Sequence, residues 1–212
     1  MRVVDLTHCI EEGMPVFPGT EPPRLTPANT LEKDGFRETL LSLYSHTGTH
    51  MDAPAHMLGE GATLDVLAAD RFLGPALVVD VSDLRGASVT AERLAPHREA
   101  LGRAEYLLLR TRWDRFWGQE AYFGPFPCLT REAAAWLGAF PLKGVGADAI
   151  SFDPMDSPDF PVHRTLLGRG VVLVENLTGL DGLPEEGFLF GAFPLRYALA
   201  DGAPVRAVGM LP

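Results

Sequence analysis

The sequence predicts a single α/β domain, residues 1–212, built on a mixed β-sheet. Apolar runs with the composition of β-strands alternate along the chain with short helical segments, which is typical of α/β proteins. Several neighbouring strands lack room for a crossover helix between them, so some of the strand pairs must be antiparallel. The length suits one compact domain, and no stretch has the composition of a linker.

Six segments are predicted to be β-strands, because each is a short run rich in apolar residues. They cover residues 2–6, 36–44, 75–81, 106–110, 143–150 and 171–174. The second strand alternates loosely and leads directly into the histidine-rich stretch described below, so we expect it to deliver that stretch to the site. Between the first two strands, prolines at 15, 18, 22, 23 and 27 exclude a central strand or a helix interior and indicate an ordered arm or loop.

Four short helices are predicted from candidate caps and breakers. They cover residues 63–69, residues 88–101, residues 131–137 and a segment around residue 163. The first would be capped by the threonine at its start, and Pro96 interrupts or starts the second. Thr130 is a good N-cap for the third, which Gly138 ends. The fourth would end at Gly168 or Gly170.

Charge and composition argue against several classes of partner. The net charge of −10 disfavours nucleic acid and anionic membrane surfaces as ligands. No stretch approaches the roughly 18 consecutive apolar residues of a membrane span. The acidic N-terminal residues leave no apolar core for a signal peptide, so we expect a cytoplasmic protein. Cys9 and Cys128 make no disulfide framework, and we interpret both as buried small apolar side chains.

Residues 45–58 concentrate metal-binding side chains. Three of the six histidines and one aspartate fall in this stretch, namely His46, His50, Asp52 and His56. Imidazole and carboxylate ligands together suit Zn²⁺ or Mn²⁺, and open coordination positions on such an ion would make it catalytic. Each histidine taken singly could be an ordinary surface or core residue, but their clustering around Gly48 and Pro54 favours a metal site.

The spacing within this stretch predicts a bent, extended chain. Positions 46, 50, 52 and 56 share parity, so an extended backbone would point their side chains to one face, whereas a helix would scatter them. A straight strand would separate the α-carbons of His46 and Asp52 by roughly 20 Å, too far for one ion. Either the chain bends, for which Gly48 is suited, or two ions are bound.

A second informative stretch covers residues 161–177. It places His163 on a short helix, followed by four apolar residues of a buried strand and then by Glu175. A carboxylate directly after a buried strand has lost much of its hydration and needs a cation or strong donors. A metal would satisfy Glu175, although exposure to solvent or pairing with Arg164 or Arg196 would do so too.

Joined together, the two stretches offer ligands for two ions. The combined set is His46, His50, Asp52, His163 and Glu175, with His56 close by. A carboxylate shared by two metals about 3.5 to 4 Å apart is a recurrent device in hydrolytic sites. Asp148 and Asp153, near the end of the strand predicted at 143–150, would either orient such ligands or cap turns.

Motifs along the whole chain carry a resemblance to a known family. The most specific is His-x-Gly-Thr-His-x-Asp-x-Pro-x-His at residues 46–56, accompanied by His-Arg-x-Leu-Leu at 163–167 and Val-Glu-Asn-Leu at 174–177. Further matches run from Val-Asp-Leu-Thr at 4–7 and Pro-Val-Phe-Pro-Gly at 15–19 to Pro-Val-Arg at 204–206. The sequence thus resembles the metal-dependent cyclase family, which contains bacterial kynurenine formamidase and isatin hydrolase.

The resemblance implies an α/β fold of the swivelling β/β/α type, with a mixed, barrel-like β-sheet flanked by helices. It implies that two Zn²⁺ ions, or Mn²⁺ in their place, bind to His46, His50, Asp52, His163 and Glu175. His56 would carry protons or contact the metals. Members of the family are homodimers or dimers of dimers, and the proline-rich arm would reach towards the subunit interface near the active site.

Two departures from the kynurenine formamidase pattern bear on the substrate. Those enzymes typically have Trp-Pro-Gly-Asp where this chain has Phe-Pro-Gly-Thr at 17–20, and commonly have glycine where this chain has Asn176. Phe17 would either present its ring to the substrate or simply pack on the core, and it is the expected substrate-binding residue. Trp113 and Trp117 would either stack on the substrate as well or merely cover the core.

Three functions remain open at this point. The first is an arylformamidase, which converts N-formylkynurenine to kynurenine and formate with metal-activated water, while His56 passes a proton to the departing nitrogen. The second is a ring-opening hydrolase of a cyclic amide or lactone, for which the same site would serve. The third is a non-catalytic metal-binding protein, although a storage site has no use for a proton carrier.

Overall fold

Ten β-strands and five short α-helices make up the computed structural model, which describes residues 1–212. The strands are β1 (Arg2–Asp5), β2 (Arg24–Asn29), β3 (Glu38–Ser42), β4 (His50–Asp52), β5 (Leu73–Asp80), β6 (Tyr106–Arg110), β7 (Gly144–Ala147), β8 (Val172–Glu175), β9 (Phe188–Pro194) and β10 (Gly202–Leu211). The helices are α1 (Leu31–Asp34), α2 (Ala91–Leu94), α3 (Arg98–Leu101), α4 (Arg131–Leu137) and α5 (Pro161–Leu167). None of them is long and apolar enough to cross a bilayer.

Seven of the strands close into a barrel. Their order is β10-β4-β8-β7-β6-β5-β9, and β9 pairs again with β10. The pairs from β5 to β8 are parallel and all other pairs are antiparallel, with β1 added along β10. The α/β fold with a mixed, barrel-like sheet is therefore confirmed.

Side-chain alternation divides the core into two layers. On the parallel strands, alternate residues such as Val78 and Leu108 fill the barrel interior, within a cluster of 21 buried residues. Their neighbours, such as Leu77 and Leu109, face outwards into a cluster of 22 buried residues that the helices cover. Since these strands are buried on both faces, they read as continuous apolar runs, which is why the sequence predicts them well.

Several predicted elements are confirmed, including the helix at 131–137. The Thr130 hydroxyl accepts a hydrogen bond from the backbone N–H of Ala133, and Gly138 ends the helix. The helix predicted at 63–69 is wrong, because the chain forms two separate 3₁₀ turns at Leu64–Val66 and Ala69–Phe72. The intervening backbone is extended, and the Leu64 N–H is held by the carbonyl of a distant residue, Ala200, which no local pattern reveals.

The strand predicted at 36–44 lies in a separate two-stranded ribbon rather than in the barrel. Strand β3 pairs only with β2, and all five of its residues are exposed. Strand β2 includes Pro27, which lies at a register shift of the ribbon. Proline is tolerated there because the ribbon has no central strand that would lose a backbone hydrogen bond. The expectation that both cysteines are buried is half wrong, since Cys128 is buried and Cys9 is exposed.

Candidate metal centre

The register of β4 against β8 brings together the two informative stretches of the sequence. His50 lies directly opposite Glu175, and Asp52 lies opposite Leu173. Leu173 belongs to the outer core layer together with residues of α5, whereas Met51 and Val174 belong to the barrel interior. The ligand side chains on β4 and β8 therefore face outwards, into the space between the barrel wall and α5.

Gly48 supplies the bend that the spacing of the histidine stretch requires. Its φ of 66° lies in the left-handed region that favours glycine. The bend folds residue 46 back over β4, so that His46 Nδ1 lies 2.7 Å from Asp52 Oδ1. The predicted bent, extended chain is confirmed.

Helix α5 presents His163 to the same space, and Asp153 fixes its orientation. The carboxylate of Asp153 accepts hydrogen bonds from the backbone N–H groups of Val162 and His163 at the start of the helix. The same carboxylate lies 2.6 Å from His163 Nδ1, which leaves Nε2 facing Glu175 Oε1 at 3.0 Å. Asp153 therefore fills both of the roles open to it, since it caps the start of α5 and orients the histidine.

Two groups of donor atoms close enough to hold a metal share Asp52. One is His46, Asp52 and His56, and the other is His50, Asp52 and Glu175, with the donor atoms of each group within 4.8 Å of one another. His163 Nε2 lies 3.7 Å from Asp52 Oδ2, next to the second group. The five expected ligands and His56 are thus brought together around one shared carboxylate.

The electrostatics of this cluster fit a cation. Burial alone would raise the pKa of Asp52, but the neighbouring imidazoles of His46 and His50 hold that pKa well below its usual value. Burial alone would lower the pKa of His50 and of His163, but hydrogen-bonded carboxylates raise each to about 10. Nitrogen and oxygen donors so placed attract positive charge strongly, and divalent metal ions satisfy such buried groups.

Each proposed imidazole ligand is also held through its second ring nitrogen. His50 Nδ1 donates to the Gly48 carbonyl at 2.8 Å, and His46 Nε2 lies 3.0 Å from Asp201 Oδ2. Such partners fix the tautomer and the ring orientation of metal-binding histidines. Sequence reasoning missed Asp201, which has no motif around it and reaches the site only because β10 pairs with β4.

A cavity of about 280 Å³ opens onto the cluster. The proline-rich arm contributes Phe17, and His56 lines the cavity beside the ligands. Burial lowers the pKa of His56, despite the opposing charge of Asp52, and so favours the neutral ring. A larger apolar groove of about 520 Å³ lies elsewhere, along β5, α3 and the C-terminal end of β10, and contains no cluster of metal-binding side chains.

Side-chain contacts in the structure decide between three pairs of alternatives that the sequence leaves open. Trp113 and Trp117 pack on a separate apolar cluster and do not line the cavity, which confirms the interpretation that they cover the core. Arg164 donates to backbone carbonyls and not to Glu175, so an arginine does not neutralise that carboxylate. Asp148 accepts hydrogen bonds from the backbone N–H groups of residues 111 and 112, and therefore caps a turn.

Comparison with known proteins identifies the family of the chain. The family model described as putative cyclase matches residues 4–154. The chain belongs to this cyclase family. Among its relatives is a kynurenine formamidase of Salinibacter ruber, which is 36% identical over 214 residues, covering 98% of this chain and 97% of that protein.

Solved structures of cyclase-family proteins share the fold. The crystal structure of an isatin hydrolase bound to the product analogue thioisatinate superposes with a TM-score of 0.90 at 26% identity, covering 99% of this chain and 92% of the other. A potential metal-dependent hydrolase with cyclase activity gives a TM-score of 0.82 at 29% identity, covering 98% and 96% of the two chains. The expected fold of the family is therefore confirmed for this chain.

Proposed function

We propose that this member of the cyclase family is a metal-dependent amide hydrolase, and specifically an arylformamidase that converts N-formylkynurenine to kynurenine and formate. The observation that carries the proposal is the buried donor cluster around Asp52, which opens into a cavity lined by His56 and Phe17. Relatives named kynurenine formamidase, up to 36% identical across nearly the whole chain, support the choice of substrate.

Two Zn²⁺ ions per subunit are the proposed cofactors, with Mn²⁺ as the alternative. Their ligands would be His46, His50, Asp52, His163 and Glu175, among which Asp52 belongs to both groups of donor atoms. When bound, such ions polarise a carbonyl oxygen and lower the pKa of coordinated water towards neutrality. The nitrogen and carboxylate donor set suits both metals.

The residues of the chain supply positioning and proton transfer. Phe17 would stack against the aryl ring of the substrate at the mouth of the cavity. The neutral ring of His56 would accept a proton from the attacking water and deliver it to the aryl amine nitrogen as the carbon–nitrogen bond breaks. Water thereby supplies the hydroxyl group of formate and the new proton of the amine.

A second candidate function is the opening of a cyclic amide or lactone. The structural similarity to isatin hydrolase, with a TM-score of 0.90, favours it, as does Phe17 in place of the tryptophan typical of kynurenine formamidases. A metal-binding protein without catalysis is the remaining alternative; the presence of His56 in the cavity beside the ligands argues against it, because a storage site has no use for a proton carrier.

The deciding experiment is hydrolysis of N-formylkynurenine by zinc-loaded protein, followed by the absorbance of kynurenine, with a chelated sample as the control. We expect turnover that the chelator abolishes and that added zinc restores. If metal-loaded protein leaves formylkynurenine intact but opens isatin, the second function replaces the first. Inactivity towards both substrates with metal bound would contradict a hydrolase and support the metal-binding alternative.

The assembly is proposed to be a homodimer or a dimer of dimers, and the location to be the cytoplasm. The β2–β3 ribbon supports the assembly, because it exposes Leu40 and Leu41 on a two-stranded sheet that makes few contacts with the rest of the chain. Apolar side chains exposed on such a ribbon are typical of a surface that another subunit covers.

A further inference from the structure

Asn176, directly after Glu175, has an unusual backbone and a buried side chain. Its φ of 56° lies in the left-handed region, which only glycine and, at lower frequency, asparagine and aspartate adopt readily. The residue is only 5% exposed, so its amide group needs hydrogen-bond partners within the protein.

The amide of Asn176 makes two hydrogen bonds whose direction is fixed by chemistry. Nδ2 donates to the carbonyl of Gly48 at 2.8 Å, and Oδ1 accepts from the hydroxyl of Tyr122 at 2.7 Å. Because a backbone carbonyl can only accept, the nitrogen of the amide must face Gly48 and the oxygen must face Tyr122. Tyr122 is fully buried, and burial raises the pKa of its hydroxyl, which therefore stays protonated and available as a donor.

The Gly48 carbonyl held by Asn176 is also the partner of a proposed metal ligand. It accepts the Nδ1–H of His50 at 2.8 Å, which leaves Nε2 as the nitrogen that is free to bind a metal once the metal displaces its proton. That nitrogen lies 3.3 Å from Asp52 Oδ1 and 3.4 Å from Glu175 Oε2. The direction in which His50 presents its free nitrogen thus depends on where the Gly48 carbonyl is held.

A third contact ties the same backbone segments together. The hydroxyl of Thr49 donates to the backbone carbonyl of Asn176 at 2.6 Å. Asn176 therefore holds residues 48 and 49, at the turn before β4, against the end of β8. These are the two chain segments that carry His50 and Glu175.

We propose that Asn176, supported by Tyr122, is a positioning residue of the metal centre: it holds the Gly48 carbonyl and thereby aims His50 Nε2 at the metal shared with Asp52 and Glu175. The inference rests on the proposed metal-binding function. Asn176 touches neither the metal nor the substrate in this role, and it acts through the orientation of one histidine.

The test compares Asn176→Gly, Tyr122→Phe and the double variant with the wild type. Glycine adopts the same backbone conformation, so Asn176→Gly removes the amide without backbone strain, and Tyr122→Phe removes only the hydroxyl. We measure zinc affinity by competition with a chelating dye, the absorption spectrum of the cobalt-loaded protein, and the thermal stability of the chelated protein. Thr130→Ala, which removes the N-cap of α4, is the control for a loss of stability away from the site.

We expect Asn176→Gly to lower zinc affinity by about tenfold, the lower end of what loss of a ligand's own hydrogen-bond partner causes, because the Gly48 carbonyl itself remains, and to shift the cobalt spectrum. Tyr122→Phe should have a smaller effect, and the double variant should match Asn176→Gly, because Tyr122 acts through Asn176. Thr130→Ala should lower thermal stability and leave zinc affinity unchanged.

Native zinc affinity and an unchanged cobalt spectrum in Asn176→Gly and Tyr122→Phe would overturn the inference and reduce both residues to a packing role. A Tyr122→Phe effect that adds fully to that of Asn176→Gly would overturn the role assigned to Tyr122. Wild-type protein that binds neither zinc nor cobalt would overturn the proposed function itself, and the inference with it.

Discussion

His56 lies where a proton carrier and a metal ligand would both be useful. Its ring centroid is 3.9 Å from that of His46, and the two rings together with Asp52 form one of the donor groups. Ring-to-ring contact of this kind does not distinguish the two roles. Substitution of the histidine does, because a lost ligand lowers metal content whereas a lost proton carrier lowers turnover alone.

The first prediction is that His56→Ala lowers turnover by about 10² to 10⁴-fold while the bound metal is retained. The measurement is the kcat for the best amide substrate together with the metal content of the purified protein. His97→Ala, in the connection between α2 and α3, is the matched control and should change neither. Native turnover in His56→Ala would remove this residue from the mechanism, and loss of metal would make it a ligand.

The second prediction concerns the carboxylate behind His163. In Asp153→Asn an NH₂ group replaces one carboxylate oxygen and cannot accept, so at least one of the hydrogen bonds from the helix N–H groups and from His163 Nδ1 is lost, and the negative charge beside His163 is removed. We expect zinc affinity to fall by about tenfold to hundredfold. Asp148→Asn, which alters a turn cap instead, should reduce stability but not zinc affinity; equal zinc affinities in all three proteins would contradict the orienting role.

The third prediction is a pH dependence of stability that arises at His8. This ring stacks on Trp117 at 3.8 Å, and its Nε2 is buried without a hydrogen-bond partner. Burial lowers its pKa to about 4, although the charge of Asp114 opposes the shift. An unfolded histidine titrates near 6.5, so between these values the unfolded chain binds more protons, and the free energy of unfolding falls as the pH falls.

His8→Phe keeps the stacked ring and removes the titrating group. We expect the variant to lose less stability than the wild type between pH 7 and pH 5, by on the order of 1 kcal/mol after allowance for partial exposure. Urea unfolding of the chelated proteins at both pH values measures the difference. Parallel curves for the two proteins would show that His8 titrates alike in the folded and unfolded states.

At the level of secondary-structure elements, short pieces of chain carry the site. Strand β4 has three residues, and the turn before it depends on Gly48. A β-carbon at Gly48 would meet the side chain of Met14 at 3.1 Å in addition to the strain of its left-handed backbone. Any relaxation moves the carbonyl that holds His50, so this turn couples backbone geometry to the ligand set.

The fourth prediction is that Gly48→Ala lowers both stability and zinc affinity. Backbone strain should cost about 1–2 kcal/mol, and the displaced carbonyl should misalign His50. Gly35→Ala is the matched control, because Gly35 has a φ of 76° with no atoms within 4 Å of an added β-carbon. It should lose similar stability, measured by urea unfolding, and keep native zinc affinity; two variants with the same affinity would contradict the coupling.

The sequence predicts these elements correctly where the residues that specify them are close together in the chain. The shared parity of His46, His50 and Asp52 predicts the bent strand, and the threonine cap predicts α4. Strands β9 and β10 are not among the predicted strands, because glycine and proline interrupt their apolar runs. Asp201 could not be found either, since only the pairing of β10 with β4 brings it to His46, 155 residues away in sequence.

The whole molecule combines a closed barrel with one ribbon that the barrel does not bury. Closure of the barrel pairs the backbone N–H and C=O groups that would otherwise be exposed at the edges of the sheet. The outer face of the parallel strands β5 to β8 is covered by the helices, and the metal centre lies on the same side of the sheet. The sequence could not predict where residues 36–44 would pair, because neither face of β3 is buried and a buried face is what specifies register. A two-stranded ribbon is marginally stable alone in water.

The fifth prediction follows from that marginal stability. Leu40 and Leu41 are 62% and 55% exposed, and we expect a second copy of the chain to cover them. Replacing both with threonine keeps the β-propensity but removes apolar contact area, so the dimer should dissociate at concentrations where the wild type stays associated. Light scattering over a dilution series gives the mass, with Leu195→Thr, a 63% exposed position outside the ribbon, as the control. A wild-type monomer at every concentration would contradict the proposed dimer, whereas a double variant that dissociates no more readily than the control would place the subunit contact outside the ribbon.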